Sequence, residues 1–272
     1  MGRIGRCNGD RVIPGRDYAG VVVAGAGWVG KEVCGSGAGF GVTRDETHGQ
    51  YLVADLDSLS EKPSHLSMEE ASAVGVPYLA AWSALVTAAD VQPGETVLIT
   101  GALGAVGRAA TQVAHWRGAR VIGADIAAGA SDADAFIDTR HGELPAEVRG
   151  LTEGRGADLV LDAVGGPMFE PSLKSLRVGG RQVAIASLGS GRVEFNLIDF
   201  CHGQHRLIGV DTLKLTGRRI ATMMDALRTG FEDGQLRPPS VQAWPLSQAV
   251  ESYDAVAKGG GSNKHVLLPR QD

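Results

Sequence analysis

Hydrophobic positions along this chain of 272 residues follow two rhythms, and the switches between them predict its elements. Val97, Leu98 and Ile99 are an unbroken apolar run, the pattern of a strand buried on both faces. Val106, Ala109, Ala110, Val113 and Ala114 then recur at helical spacing, and Gly118 stands where a helix ends. Val121 and Ile122 begin a second strand that closes on Asp125. Upstream, 13–23 reads as a turn feeding a strand, and His48–Ala54 reads as another strand. Ser67 with Glu70 predicts a capping box, followed by an apolar helical stretch through Ala89. Downstream, strands are predicted at Ala135–Asp138, Asp158–Leu161 and Leu207–Val210, and helices near Leu144–Thr152, Pro171–Leu176 and Arg218–Thr229. Gly179-Gly180 reads as a turn into a strand over Arg181–Ala186. A helix over Ser247–Ala257 and a strand over His265–Leu268 close the chain. Strands alternating with helices predict an α/β fold, a doubly wound parallel sheet of Rossmann type. A β-rich region flanks it at the chain ends.

The turn between the two central strands carries the clearest chemistry. Gly101, Leu103, Gly104, Ala105, Val106 and Gly107 lie between a strand and a helix. Gly104 lets a pyrophosphate approach the backbone, Gly107 lets the helix pack on its strand, and the helix N-terminus favours phosphate charge. Asp125 follows about twenty residues on, where an acid accepts hydrogen bonds from an adenosine ribose. Ser187 ends another parallel strand, where such sheets place ligands.

Composition narrows the class. Hydrophobic content is 43% and net charge −5, so a sizeable core is available and nucleic acid is not expected as a partner. No apolar run approaches the roughly 20 residues of a membrane helix, and no secretory leader is visible, so no membrane partner is expected. Cys7, Cys34 and Cys201 are few and far apart, which points to a reducing, cytoplasmic setting. Cys201-His202-Gly-Gln-His205 has metal-like residue types but reads as a polar loop before an edge strand.

Several motifs together resemble one family. Pro14-Gly-Arg-Asp-Tyr-Ala-Gly20, Gly49-Gln-Tyr-Leu-Val53, Glu69-Glu-Ala-Ser-Ala73 with Tyr78-Leu-Ala-Ala-Trp82, Gly101–Gly107, Asp162-Ala-Val-Gly-Gly166 and Pro245-Leu-Ser-Gln-Ala249 carry the match. They resemble the medium-chain dehydrogenase/reductase superfamily, and within it the zinc-free quinone oxidoreductase (zeta-crystallin-like) branch. The resemblance implies a GroES-like domain over 1–72, a Rossmann dinucleotide-binding domain over 73–240, and a return to the GroES-like domain over 241–272. It implies a small-molecule substrate in the cleft between them, with Tyr78 and Trp82 as lining candidates, and a homodimer through the strand Leu207–Val210. It adds Val164, Gly165, Leu188 and Asn263 to the cofactor candidates. Family members carry a longer segment before the Pro-Gly motif, so the GroES-like domain is expected to be partial, lacking its first strands.

Arg16 stands where zinc-dependent relatives carry a histidine, and arginine keeps its proton and cannot ligate a metal. No cysteine lies near Gly75–Tyr78, so zinc is not expected. No Lys or Arg follows Asp125 until Arg140, which favours NAD over NADP, the alternative cofactor. The expected function is zinc-independent, NAD(P)H-dependent reduction of quinones or activated enones, with no residue assigned to catalysis. The alternatives are a dinucleotide-binding protein without turnover and a zinc-free alcohol or enoyl reductase.

Overall fold

The computed structural model describes residues 14–40, 47–126, 129–259 and 263–269. Along the chain come β1 (Asp17–Val21), β2 (Glu32–Ser36), β3 (Ser60–Glu61), α1 (Met68–Ala73) and α2 (Gly75–Trp82). Then follow β4 (Thr96–Thr100), α3 (Ala105–Trp116), β5 (Arg120–Asp125), β6 (Ala135–Asp138), α4 (Leu144–Leu151), β7 (Ala157–Asp162) and α5 (Phe169–Lys174). The rest is β8 (Leu176–Ala184), α6 (Leu197–His202), β9 (Arg206–Gly209), α7 (Gly217–Glu232), β10 (Val241–Pro245), α8 (Ala249–Ala257) and β11 (Lys264–Leu268).

All five side chains of β4 are buried, as its apolar run requires when both faces are covered. It sits inside a six-stranded sheet ordered β6-β5-β4-β7-β8-β9, and every neighbouring pair is parallel. The order reverses between β4 and β7, which leaves a crevice beyond the carboxyl ends of those strands. On one side of the sheet Leu98, Ile122, Ile137, Val148, Val160 and Leu173 form a continuous core. This is the expected doubly wound parallel sheet, and it fills one of two units, Ala80–Asp211.

The second unit holds the described residues of 14–79 and 212–269. Here β1 and β3 flank β2 in an antiparallel sheet, while β10 and β11 pair in parallel. Tyr18, Val33, Phe40 and Leu59 form its core, with the Tyr18 and Phe40 rings edge to face at 5.7 Å. The capping box at α1 is present in both directions, Glu70 N–H to Ser67 Oγ and Ser67 N–H to Glu70 Oε2. Helix α7 groups with this unit rather than with the parallel sheet that precedes it. Its apolar stripe is buried, and Asp225 on it accepts a 2.7 Å hydrogen bond from Ser60 of β3.

Two predicted elements differ. Among the described residues, 47–54 forms no strand, and Tyr51 and Val53 are exposed at 73% and 87%. A strand needs a neighbour for its amides, and no described strand pairs with this stretch. Gly179-Gly180 is not a turn between elements but lies inside β8, where the register against β7 shifts and Gly179 has φ +76°. The glycines make a bulge, which bends a strand without ending it.

Candidate functional site

Directly after β4 comes Gly101, which adopts φ +66°, a left-handed conformation that glycine takes without a Cβ penalty. The Gly104 N–H returns to the Gly101 carbonyl at 3.0 Å and closes the turn. Gly104 is the N-cap of the 12-residue α3, with extended backbone and no side-chain cap. The first amides of α3 are therefore left for another acceptor, and the helix dipole makes that acceptor anionic. A Cβ on Gly104 would meet only the Gly101 oxygen, at 3.3 Å, so the backbone here is open to a close ligand. A Cβ on Gly107 would overlap the Gly101 oxygen and fall 2.6 Å from Ala102 Cα, so glycine is what lets α3 lie on the turn. Asp125, at the end of β5, accepts the Leu103 N–H at 3.0 Å through one oxygen and the Ile126 N–H at 2.8 Å through the other.

A second cluster lies at the ends of β4, β7 and β8. Asp162 is completely buried and accepts from Thr100 Oγ1 at 2.8 Å, Gly165 N–H at 2.8 Å and Val164 N–H at 3.2 Å. Gln182 Nε2 donates to its other oxygen at 3.4 Å. Gly165 and Gly166 have φ +63° and +50°, and side chains on them would strike the backbone at Ala186 and Leu188. The two glycines let the segment leaving β8 cross directly over the turn leaving β7, tied by Leu188 N–H to Val164 O at 3.0 Å. A Cβ on Gly101 would in turn lie 3.1 Å from Val164 Cγ2.

Gly101, Leu103, Gly104, Ala105, Val106, Gly107, Asp125, Val164, Gly165, Ser187 and Leu188 thus all sit in the Ala80–Asp211 unit, at the carboxyl side of its sheet. Asn263 belongs to the second unit, where it is exposed on a cavity of about 1770 Å³ that Asp17, His48, Tyr253 and Lys264 also line. That volume exceeds the ~300–1,000 Å³ of a formed small-molecule pocket. Within it Asp17 ties three elements together, through Ser36 Oγ at 2.5 Å, Val76 N–H at 2.9 Å and Lys264 Nζ at 3.2 Å. Tyr78 is 2% exposed, packs on Phe231 at 5.0 Å and donates to the Arg237 carbonyl at 2.5 Å. Trp82, one turn on, is half-buried beside Trp116 at 5.5 Å. Cys201 and His202 end α6, and His205 precedes β9 against Phe200. Burial pushes the Cys34 thiol up to about 12, so it stays protonated.

Two polar residues of the site carry no signal from spacing. Asp162 shows in the sequence only as the first residue of the Asp162–Gly166 motif, and two of its four donors arrive from β4 and β8. Arg108 shows only as a polar position on α3. Among the described residues no group of three His, Cys, Asp or Glu is placed to hold a metal ion, and no helix is long and apolar enough to cross a membrane.

A family model described as zinc-binding dehydrogenase matches residues 105–229. A zinc-type alcohol dehydrogenase-like protein of Schizosaccharomyces pombe is 35% identical over 230 residues, which cover 83% of this chain and 68% of the relative. The quinone oxidoreductase of Homo sapiens is 27% identical over 268 residues, 94% of this chain and 79% of that protein. The crystal structure of an alcohol dehydrogenase superfamily protein from Novosphingobium aromaticivorans superposes with a TM-score of 0.81 at 31% identity, covering 96% of this chain and 80% of the other.

Proposed function

We propose a function from one premise: this chain belongs to the medium-chain dehydrogenase/reductase superfamily, as a quinone oxidoreductase-like member. It is an oxidoreductase, and members of the superfamily bind NAD(P). The reaction we infer is zinc-independent reduction of a quinone or an activated enone by NADH. The observation that carries this reading is the glycine turn opening onto an uncapped helix N-terminus, with a carboxylate held beside it.

The residues present fit the dinucleotide. The open backbone at Gly104 and the first amides of α3 would take the pyrophosphate. Asp125 would take the adenosine ribose, and its charge disfavours the 2′-phosphate of NADPH. Val164, Gly165, Ser187 and Leu188 line the exits of β7 and β8 and would flank the nicotinamide half. When bound, the nicotinamide supplies the hydride. A quinone takes its proton from water, so this chain need provide no general acid. Zinc independence is supported by Arg16, whose guanidinium stands at a position where a metal site needs a deprotonated donor. A homodimer through β9 is part of the same reading.

Absorbance at the reduced-nicotinamide band, with NADH and NADPH in parallel and a simple quinone as acceptor, tests it. Quinone-dependent oxidation with NADH preferred is expected, unchanged by a metal chelator. No oxidation of either cofactor by folded protein overturns the quinone reading, and a preference for NADPH overturns the role given to Asp125.

A further inference from the structure

We propose that Arg108 is a positioning residue for the adenosine half of the cofactor, acting through the Leu103 backbone that donates to Asp125 and tying it to Ala130 beyond β5. The inference rests on the dinucleotide reading above and goes beyond it, since it assigns a cation that spacing does not mark.

Parallel strands are ordinarily joined by a dozen or more residues, usually a helix. Here nine residues, 126–134, separate the end of β5 from the start of β6. No helix occurs among their described residues, and Ile126, their single large apolar side chain, is 68% exposed. Among its described residues, two polar contacts reach this segment from α3.

The first is Arg108. Its Nη1 donates to the Ala130 carbonyl at 3.0 Å, in the middle of the segment. Beside it the segment closes on the turn, where a Cβ on Gly129 would fall 2.9 Å from Leu103 Cδ1. The second is His115, whose Nε2 lies 3.0 Å from Asp134 Oδ2 at the far end, where the Val121 N–H also donates to Asp134 at 2.7 Å. Arg108 and His115 are seven residues apart, two helical turns, and so share one face of α3.

Arg108 also reaches the site itself. Its Nε donates to the Leu103 carbonyl at 2.9 Å. The Leu103 N–H donates to Asp125 Oδ2, and the N–H of Ile126, the first residue of the segment, donates to Oδ1. The guanidinium therefore holds Leu103, one of the two backbone donors to the carboxylate, and joins it to Ala130. A carboxylate has about four acceptor positions, so with one taken on each oxygen it keeps one on each for the two ribose hydroxyls. Arg108 holds that arrangement in place before the cofactor arrives.

The test compares wild type with Arg108→Ala and Arg108→Lys, by titrating NADH and NADPH through protein fluorescence and by steady-state kinetics with the quinone. Arg108→Ala is expected to raise the NADH dissociation constant and KM about 10-fold, the scale of one charge-assisted hydrogen bond, with kcat within about 2-fold. The preference for NADH over NADPH narrows, because Asp125 is no longer aimed. Arg108→Lys recovers only part, since an ammonium does not reproduce a fork to two separate carbonyls. Limited proteolysis within 126–134 speeds up in Arg108→Ala and slows again with NADH. A wild-type dissociation constant in folded Arg108→Ala overturns the inference alone, as does a fall in kcat with KM unchanged. Wild-type protein that binds neither nucleotide overturns the dinucleotide reading and this inference with it.

Discussion

Gly104 and Gly107 stand three residues apart in one turn, and their surroundings give them opposite roles. At Gly107 the atoms in the way are backbone, the Gly101 oxygen and Ala102 Cα, which have no rotamer to swing aside. Gly107→Ala is expected to push α3 off its turn at a cost of roughly 1–3 kcal/mol, the usual penalty of overpacking. At Gly104 the residue is exposed, φ is −73°, and the nearest atom to a new Cβ is 3.3 Å away. Gly104→Ala is expected to keep stability within about 0.5 kcal/mol, as surface changes do, while NADH binding weakens because the methyl stands where the pyrophosphate must approach. Thermal unfolding and an NADH titration on the two variants check this, and equal losses of stability would sink the distinction. Both glycines were legible from spacing alone. The burial of Asp162 was not, because a buried acid is made by donors that converge on it, and Thr100 and Gln182 are far from it in sequence.

Strand β8 shows the same limit for an element. Its interior is apolar enough to read, yet Arg181 on it is 5% exposed. The guanidinium is satisfied by Glu95 at 2.6 and 2.8 Å and by the Ala89 carbonyl at 2.6 Å, so it links β8 to the chain leading into β4. Burial pushes the Glu95 carboxyl up, but hydrogen bonds from Arg181 and the Gln92 amide outweigh it and leave Glu95 below its ordinary value of 4.5. A carboxyl lowered on folding adds stability that is complete above its unfolded value and is lost as pH falls through its folded value. The melting-temperature gap between wild type and Glu95→Gln is therefore expected to be full at neutral pH and to shrink as pH falls below about 4. A gap that stays constant down to about pH 3 would contradict the role given to the pair. Glycine also misled at this scale. Gly179-Gly180 punctuates a sequence like a turn, but here it lies in a bulge between the pairings of Leu176 and Arg181 with β7, and the strand resumes beyond it.

For the whole molecule the open question is assembly. β9 pairs only with β8, so its other edge carries unpaired backbone groups among the described residues. Leu207 on it is 38% exposed, and Leu197 and Ile198 of the preceding helix are exposed at 64% and 63%. An apolar open edge is a template for a second copy, and a lysine on such an edge blocks pairing. Light scattering is expected to give a dimer mass for wild type and a monomer mass for Leu207→Lys, with the same circular dichroism. A wild-type monomer at micromolar concentration would overturn the dimer. The grouping of α7 also belongs to this scale. Its amphipathic stripe was legible, but the partner of that stripe was not, and it is the unit containing β2 and β3 that buries it.

The parallel sheet, the turn from Gly101 to Gly107 and the acid at Asp125 were determined by the sequence itself. Each depends on residues adjacent or periodic in the chain, and local sterics and burial act on those directly. Tertiary structure alone decided which side chains meet from distant positions. It set the four donors around Asp162 and the fork of Arg108 between Leu103 and Ala130. Among the described residues it also left 47–54 without a strand partner, although the stretch reads as β. A strand forms only when a second strand takes its hydrogen bonds, and no pattern within the stretch can supply that neighbour.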